Sequence, residues 1–201
     1  MTVPQTRLKS RHGMVVLGVI FFTGTLAAYS PPLYSSSVSK SQAIKVKSVA
    51  VNFNLLNKVQ TTFGKLLWRG GIELISASDG FGGLSGIATG LGGKKFVAVS
   101  DKGRWVTGEN ERLTGVSNVK ISPLLDGKGH PFKGKSRFDA ESVAPYDAKG
   151  VKGKLLVAFE RKQRIGKYSF GKKGMMAREK TIALPAEAKN ARRNKEFESV
   201  G

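Results

Sequence analysis

The chain has 201 residues, of which 34 are Lys or Arg and 14 are Asp or Glu, so its formal net charge is +20. This length accommodates one ordinary domain with a core, and a hydrophobic content of 40% excludes a chain that is disordered throughout. Because cysteine is absent, disulfide scaffolds, thiolate zinc sites, iron–sulfur clusters and cysteine nucleophiles are excluded.

The first predicted element is a leader. Arg7, Lys9 and Arg11 precede an apolar run over residues 14–28 that ends in small residues. A basic start followed by an apolar core that is short for a bilayer span is typical of secretory signal peptides. We therefore predict a signal peptide at residues 1–28 and a periplasmic or secreted protein. The alternative is an uncleaved anchor in the inner membrane, formed by residues 14–28.

A linker and the first strands are predicted next. Residues 29–43 are rich in Ser and Pro, which indicates a linker without a core of its own. We predict one domain over residues 44–201. Its first strands are expected within residues 44–56 and 66–76.

An internal repeat dominates this domain. LSGIA (84–88) aligns with AESVA (140–144) and with FESVG (197–201), and FVAVSD (96–101) aligns with LLVAFE (155–160). In the first two copies a basic turn, an amphipathic segment and an alternating stretch follow. Four short strands in a unit of about fifty residues are typical of a β-propeller blade. The predicted fold is therefore all-β and β-propeller-like, with about two four-stranded blades plus flanking strands.

The number of blades predicts an incomplete propeller. Closed propellers have four blades or more, so we expect this chain to be a truncated form of a longer domain. A complete product of this size would need strands from another chain, because its exposed edges would otherwise favour aggregation.

Carboxylates recur at matching positions of the repeat. They are Asp101 and Glu160 at one position, and Glu141 and Glu198 at another. Asp139 lies beside the second set. In a propeller these side chains are expected to converge on a central channel, where clustered carboxylates are costly unless protons or a cation compensate. Oxygen ligands favour calcium or magnesium. The alternative is that the carboxylates cap strands or pair with the basic residues that follow them.

Other catalytic templates fit less well. His130 is the single histidine beyond the leader and lies in a turn-like segment, where surface histidines are common. Ser85 lies in GGLSG, which differs from a nucleophile elbow in the position of its second glycine. GLGGKK (90–95) lacks the spacing of a phosphate-binding loop and predicts a hairpin turn.

Six motifs occur in a fixed order along residues 66–201. They are RGGIEL (69–74), FGGLSGIATG (81–90), FVAVSDKGRW (96–105), FDAESVAP (138–145), FERKQRIGKYSF (159–170) and NKEFESV (194–200). This ordered set resembles the motifs of the phytase-like family of exported bacterial proteins, whose description is esterase-like activity of phytase. Glu196 departs from the family, which tends to have glycine at that position.

The resemblance implies a propeller related to calcium-dependent phytases, with calcium held by acidic channel residues. The implied metal ligands are Asp101, Glu141, Glu160 and Glu198. The implied phosphate-binding residues are Lys102, Arg104, Arg161 and Arg164. Glu141 and Glu160 are the implied catalytic residues. Calcium bound there would neutralise phosphate charge and lower the pKa of water, so neither cysteine nor histidine would be needed.

Three functional hypotheses follow. The first is an exported, calcium-assisted hydrolase of phosphomonoesters, whose partner is an anionic small molecule such as a phosphate ester. The second is a non-catalytic propeller of the cell envelope that binds an anionic ligand or a protein. A serine esterase that uses Ser85 is the third. The basic surface also predicts peripheral contact with membrane or envelope polyanions, whereas sparse aromatics argue against specific nucleic-acid binding.

Overall fold

The computed structural model describes residues 41–112, 114–147, 153–171 and 174–190. Within these ranges the fold is all-β, as predicted, with one four-residue helix, α1 (Lys135–Phe138), and one 3₁₀ turn (Glu187–Asn190). The strands are β1 (Gln42–Ala43), β2 (Lys47–Val51), β3 (Thr62–Phe63), β4 (Leu66–Leu67), β5 (Gly71–Ile75), β6 (Leu84–Thr89), β7 (Lys95–Ser100), β8 (Arg104–Asn110), β9 (Val116–Pro123), β10 (Ala140–Pro145), β11 (Gly153–Phe159), β12 (Arg164–Gly171) and β13 (Gly174–Ile182).

Two sheets reproduce the predicted repeat. In the first sheet the strands lie in the order β1-β9-β8-β7-β6, and in the second in the order β10-β11-β12-β13. Strands β6 to β9 and strands β10 to β13 are therefore two antiparallel meanders with the same order. The repeated four-stranded unit is confirmed, and the arrangement of such units in a propeller stays a prediction.

The segments before the repeat form shorter pairs. β2 pairs with β5, and β3 pairs with β4. The strand predicted over residues 66–76 is divided, because Gly70 adopts a φ of 128° that no regular strand continues through. Gln42 pairs with Ile121 of β9, so the last two residues of the predicted linker belong to the first sheet. The edge of β9 explains this extension, since its main-chain groups need partners.

The core lies on both faces of the first sheet. Along β7, Val97 and Val99 join the core shared with the second sheet, whereas Phe96 and Ala98 join a core on the opposite face. A strand buried on both faces requires an uninterrupted apolar run, and FVAV supplies it. The second sheet contributes Leu155, Val157, Phe159 and Tyr168 to the shared core.

The first strands of the two repeats, β6 and β10, touch each other. A Cβ atom on Gly86 of β6 would lie 2.7 Å from the Cα of Ser142 and 2.7 Å from the main-chain nitrogen of Val143, both in β10. The Ser85 hydroxyl donates a hydrogen bond to the carbonyl oxygen of Ala140. Strands β6 and β10 therefore bring the corresponding edges of the two repeats together.

Within the described ranges, neither helix has the length and apolar character that crossing a membrane requires. The predicted signal peptide or anchor at residues 1–28 lies outside those ranges, as do residues 29–40 of the predicted linker.

Candidate functional site

Glu141 occupies a β-bulge in strand β10. The pairing with β11 shifts between Ala140, opposite Phe159, and Ser142, opposite Ala158. The first sheet has the same irregularity, since the pairing of β6 with β7 shifts between Leu84 and Gly86. A bulge adds one residue that the ladder does not pair, and it re-aims that side chain. Both repeats therefore have a bulge at the position that is Ser85 in one and Glu141 in the other.

Glu160 and Asp139 are joined through the main chain next to this bulge. The Glu160 N–H donates to the Asp139 carbonyl oxygen at 2.9 Å, and the Asp101 N–H donates to that of Gly83 at the same distance. Asp139 is therefore the repeat equivalent of Gly83. The first repeat has Gly83, Ser85 and Asp101 where the second has three carboxylates.

Asp139, Glu141 and Glu160 form an acidic triad. One carboxylate oxygen from each lies within 4.8 Å of the others. Asp139 is buried, with 2% of its surface exposed, and the two glutamates are half-buried. Two oxygens that each lie about 2.4 Å from one calcium ion are separated by at most about 4.8 Å. The spacing and the oxygen chemistry of the triad therefore fit calcium.

Two cations contact the buried member of the triad. Arg161 Nε lies 2.5 Å from Asp139 Oδ2, and this hydrogen bond raises the pKa of the Arg161 guanidinium. Lys135 Nζ, from helix α1, lies 3.7 Å from Asp139 Oδ1 and 3.4 Å from Asp101 Oδ2. The site thus combines carboxylates with two positive groups, an arrangement that suits an anionic substrate beside a cation.

Asp101 is near the triad without belonging to it. Lys135 links its carboxylate to that of Asp139. Its Oδ1 atom is buried and has no hydrogen-bond partner among the described residues. A side chain at Gly83 would overlap the Asp101 carboxylate. Asp101 of the first repeat and Asp139 of the second are therefore neighbours bridged by a lysine, and Asp101 does not belong to the triad.

The four predicted phosphate-binding residues do not gather at one place. Arg161 lies at the triad. Lys102 Nζ donates to the Phe81 carbonyl oxygen at 3.1 Å, and Arg104 lies beside Gly80. Their role in phosphate binding stays a prediction, and so does that of Glu198 as a ligand, because residues 191–201 lie outside the described residues.

Arg164 has a packing role in this structure. Its guanidinium carbon lies 3.8 Å from the centre of the Phe159 ring, and its Nη1 donates to the Lys162 carbonyl oxygen at 2.8 Å. Burial lowers the pKa of Arg164 to about 10. A guanidinium stacked on a core aromatic ring is a less accessible phosphate ligand than Arg161.

The environment of Ser85 gives no support to a serine nucleophile. Its hydroxyl donates to a main-chain carbonyl oxygen, whereas an activated serine donates to a base. The main-chain N–H of His130 donates to Asp126 Oδ1 at 3.0 Å, within the loop after β9.

Sequence reasoning named Asp139 without giving it a ligand role, and it missed Lys135. Asp139 was placed only beside the repeated carboxylates, although its alignment with Gly83 marks a position where the two repeats differ in charge. Lys135 had no signal in the sequence, since nothing in the pattern predicted helix α1 or its approach to Asp101.

A family model described as phytase-like, esterase-like activity of phytase, matches residues 79–201, which is more than half of the chain. The matched residues include both repeated meanders and the acidic triad. A search among curated proteins finds no match to the chain.

Proposed function

The chain belongs to the phytase-like family, whose description is esterase-like activity of phytase. We propose that it is an exported, calcium-assisted hydrolase of phosphomonoesters. At family level the match indicates a phosphoesterase-type hydrolase. The observation that carries the finer proposal is the acidic triad, whose ligand atoms lie within 4.8 Å of one another.

We assign the calcium-binding role to Asp139, Glu141 and Glu160. Bound calcium would neutralise phosphate charge and favour ionisation of water without a cysteine or histidine. Asp139 is buried and already hydrogen-bonded to Arg161. The burial and the hydrogen bond hold this carboxylate in place, which suits a ligand that fixes the site.

Arg161 and the two glutamates have the complementary roles. The guanidinium of Arg161 is protonated, as arginine is in proteins, and the side chain is partly exposed beside the triad. We propose that it binds a phosphate oxygen of the substrate. Glu141 and Glu160 are half-buried and therefore open to solvent, so we assign to them the orientation and deprotonation of the attacking water.

The two meanders are proposed to be blades of a longer propeller. Their identical strand order and the contact between β6 and β10 support this arrangement. Two blades are fewer than a closed propeller has, which supports a longer parent domain. Export through residues 1–28 belongs to the same proposal.

The test combines calcium binding with phosphate release. We expect the double variant Glu141→Gln with Glu160→Gln to bind calcium at least about tenfold more weakly in calorimetry. We expect its release of phosphate from phytate or p-nitrophenyl phosphate to fall at least about a hundredfold. Glu109→Gln is the matched control, because Glu109 lies outside the triad, near the end of β8, and its ion pairs with Lys94 and Lys95 are long, at 3.9 and 4.0 Å.

Calcium-independent phosphate release that the double variant retains would contradict the proposal. The second hypothesis, a non-catalytic envelope protein, is supported by the net charge of +20. It predicts salt-sensitive binding of phytate without turnover, both in this chain and in a version that includes any further blades. Turnover by either form would decide against it.

A further inference from the structure

A segment outside the proposed catalytic site exposes an unusual amount of apolar surface. Between β2 and β5, residues 53–67 form what we name the apolar loop. Leu56 is 100% exposed. The other large apolar side chains exposed there are Phe53, Leu55, Val59, Leu66 and Leu67. Single exposed leucines are ordinary, but six large apolar side chains within fifteen residues indicate an interaction surface.

The apolar loop is held in place by specific contacts. Asn54 Oδ1 accepts hydrogen bonds from the main-chain N–H groups of Leu56 and Asn57, at 2.9 and 3.1 Å, and its Nδ2 donates to Gln60 Oε1 at 2.6 Å. This turn presents Leu55, Leu56 and Val59 to solvent. These hydrogen bonds keep the apolar side chains exposed, whereas a flexible loop could fold them back onto the protein.

Aromatic rings join the two halves of the loop. The ring of Phe53 lies 4.6 Å from that of Phe63 and 5.5 Å from that of Trp68, between centroids. The main-chain N–H of Trp68 donates a hydrogen bond to the Thr61 carbonyl oxygen at 2.7 Å. The β3–β4 hairpin, which carries Leu66 and Leu67, is therefore tied to the segment that carries Leu55 and Leu56.

All charged residues within the loop and after it as far as residue 72 are positive. Lys58, Lys65 and Arg69 are exposed within or directly after it. The sequence has no Asp or Glu before Glu73. Exposed aliphatic side chains surrounded by cations match the boundary of an anionic bilayer, where the apolar groups enter the acyl region and the cations remain at the headgroups. An apolar protein partner would not require that the loop's own charges are all positive.

We propose that the apolar loop inserts into the surface of an anionic membrane and docks the protein there. The occupant is a phospholipid surface with negative headgroups. The inference does not depend on the proposed phosphoesterase activity, since the loop shares no residue with the acidic triad.

The full chain offers a site-specific test, because it contains no cysteine. The Leu56→Cys variant is labelled with an environment-sensitive fluorophore and mixed with two kinds of vesicle. One contains phosphatidylcholine alone, and the other contains about 30% phosphatidylglycerol, which gives it an anionic surface. Leu91→Cys is the matched control, since Leu91 is 87% exposed in the β6–β7 turn and precedes Lys94 and Lys95. This comparison separates the loop from the leader, which both variants share.

We expect the fluorophore at residue 56, and not the one at 91, to shift to the blue and to be quenched by brominated acyl chains in anionic vesicles. Replacing Lys58, Lys65 and Arg69 by Gln should weaken this response by about fivefold for each charge removed. At high salt the difference in response between these variants and the unsubstituted labelled chain should disappear, because salt screens the attraction to the anionic headgroups.

Two results would overturn the proposal. One is an unchanged signal at residue 56 while the chain sediments with anionic vesicles. The other is a fluorophore at residue 56 that a water-soluble quencher cannot reach before vesicles are added, because the loop is then covered by protein, either a second copy or another segment of the chain.

Discussion

At Gly86 the two sheets approach so closely that no side chain fits between them. The nearest atoms to a Cβ at this position are main-chain atoms of Ser142 and Val143. Main-chain atoms in a paired strand cannot move aside as the end of a long side chain can. The glycine therefore permits the contact between β6 and β10, and this contact lies next to Glu141 of the acidic triad.

We predict that Gly86→Ala lowers the free energy of unfolding by about 1 to 3 kcal/mol, because the methyl group would have to displace strand β10. Urea denaturation measures the change. Gly127→Ala is the control, since a Cβ there would meet its nearest atom at an ordinary 3.6 Å, and its effect should stay within about 0.5 kcal/mol. Equal stabilities for the two variants would show that the strands are not packed as described.

At the scale of elements, the bulged first strand is the part that differs most in chemistry between the repeats. Both copies have a bulge at the same position, but β6 uses it to place a serine and β10 uses it to place a glutamate. Ser85 joins the two strands through its hydrogen bond to Ala140. Glu141 belongs to the triad. The same backbone irregularity thus has a packing role in one repeat and a candidate chemical role in the other.

For Ser85→Ala we expect a loss of about 1 kcal/mol in the free energy of unfolding, the usual contribution of one hydrogen bond. Phosphate release should be unchanged. Ser85→Thr, which keeps the hydroxyl, should retain most of the stability. Complete loss of ester hydrolysis in the alanine variant, with the fold intact by circular dichroism, would instead favour the serine esterase.

Across the whole molecule, the interior between the two sheets contains polar atoms without described partners. Trp105 and Tyr168 are fully buried and meet edge to face, with ring centroids 5.3 Å apart. The Tyr168 hydroxyl and Trp105 Nε1 have no hydrogen-bond partner among the described residues. Burial raises the pKa of the Tyr168 hydroxyl above its ordinary value of 10.0. The joint between the sheets therefore favours the neutral phenol.

This environment predicts how stability depends on pH. Below pH 10 the phenol is neutral in both the folded and unfolded states, so it adds no pH dependence. Above pH 10 the unfolded state releases the proton while the folded state retains it, and folding stability falls as the pH rises toward the raised pKa. We expect Tyr168→Phe to be more stable than wild type by about 1 kcal/mol at pH 7, because an unpaired buried hydroxyl is removed.

The difference should grow by about 1.4 kcal/mol between pH 9 and pH 11. Denaturation at the three pH values, with Tyr146→Phe at the exposed Tyr146 as control, measures it. A wild-type protein that loses no more stability than the Phe variant at pH 11 would contradict the buried, neutral phenol.

The sequence by itself determined the class of fold, the repeated strands and the two glutamates of the triad. A strand buried on both faces requires a continuous apolar run, so FVAV and LLVAF identified β7 and β11 from local composition alone. The alignment of the repeats identified Glu141 and Glu160, and the order of motifs identified the family before the match over residues 79–201 confirmed it.

Only the tertiary structure decided which charged groups meet. Equivalent positions were expected to bring Asp101 and Glu160 to one site, but they follow strands of different sheets, and Asp101 contacts the triad only through Lys135 of helix α1. Asp139 completes the triad because the bulge at Glu141 and the hydrogen bond from the Glu160 N–H to the Asp139 carbonyl oxygen bring three carboxylates together. Distances of a few ångströms between side chains depend on bulges, turns and sheet packing, which the period of a repeat does not encode.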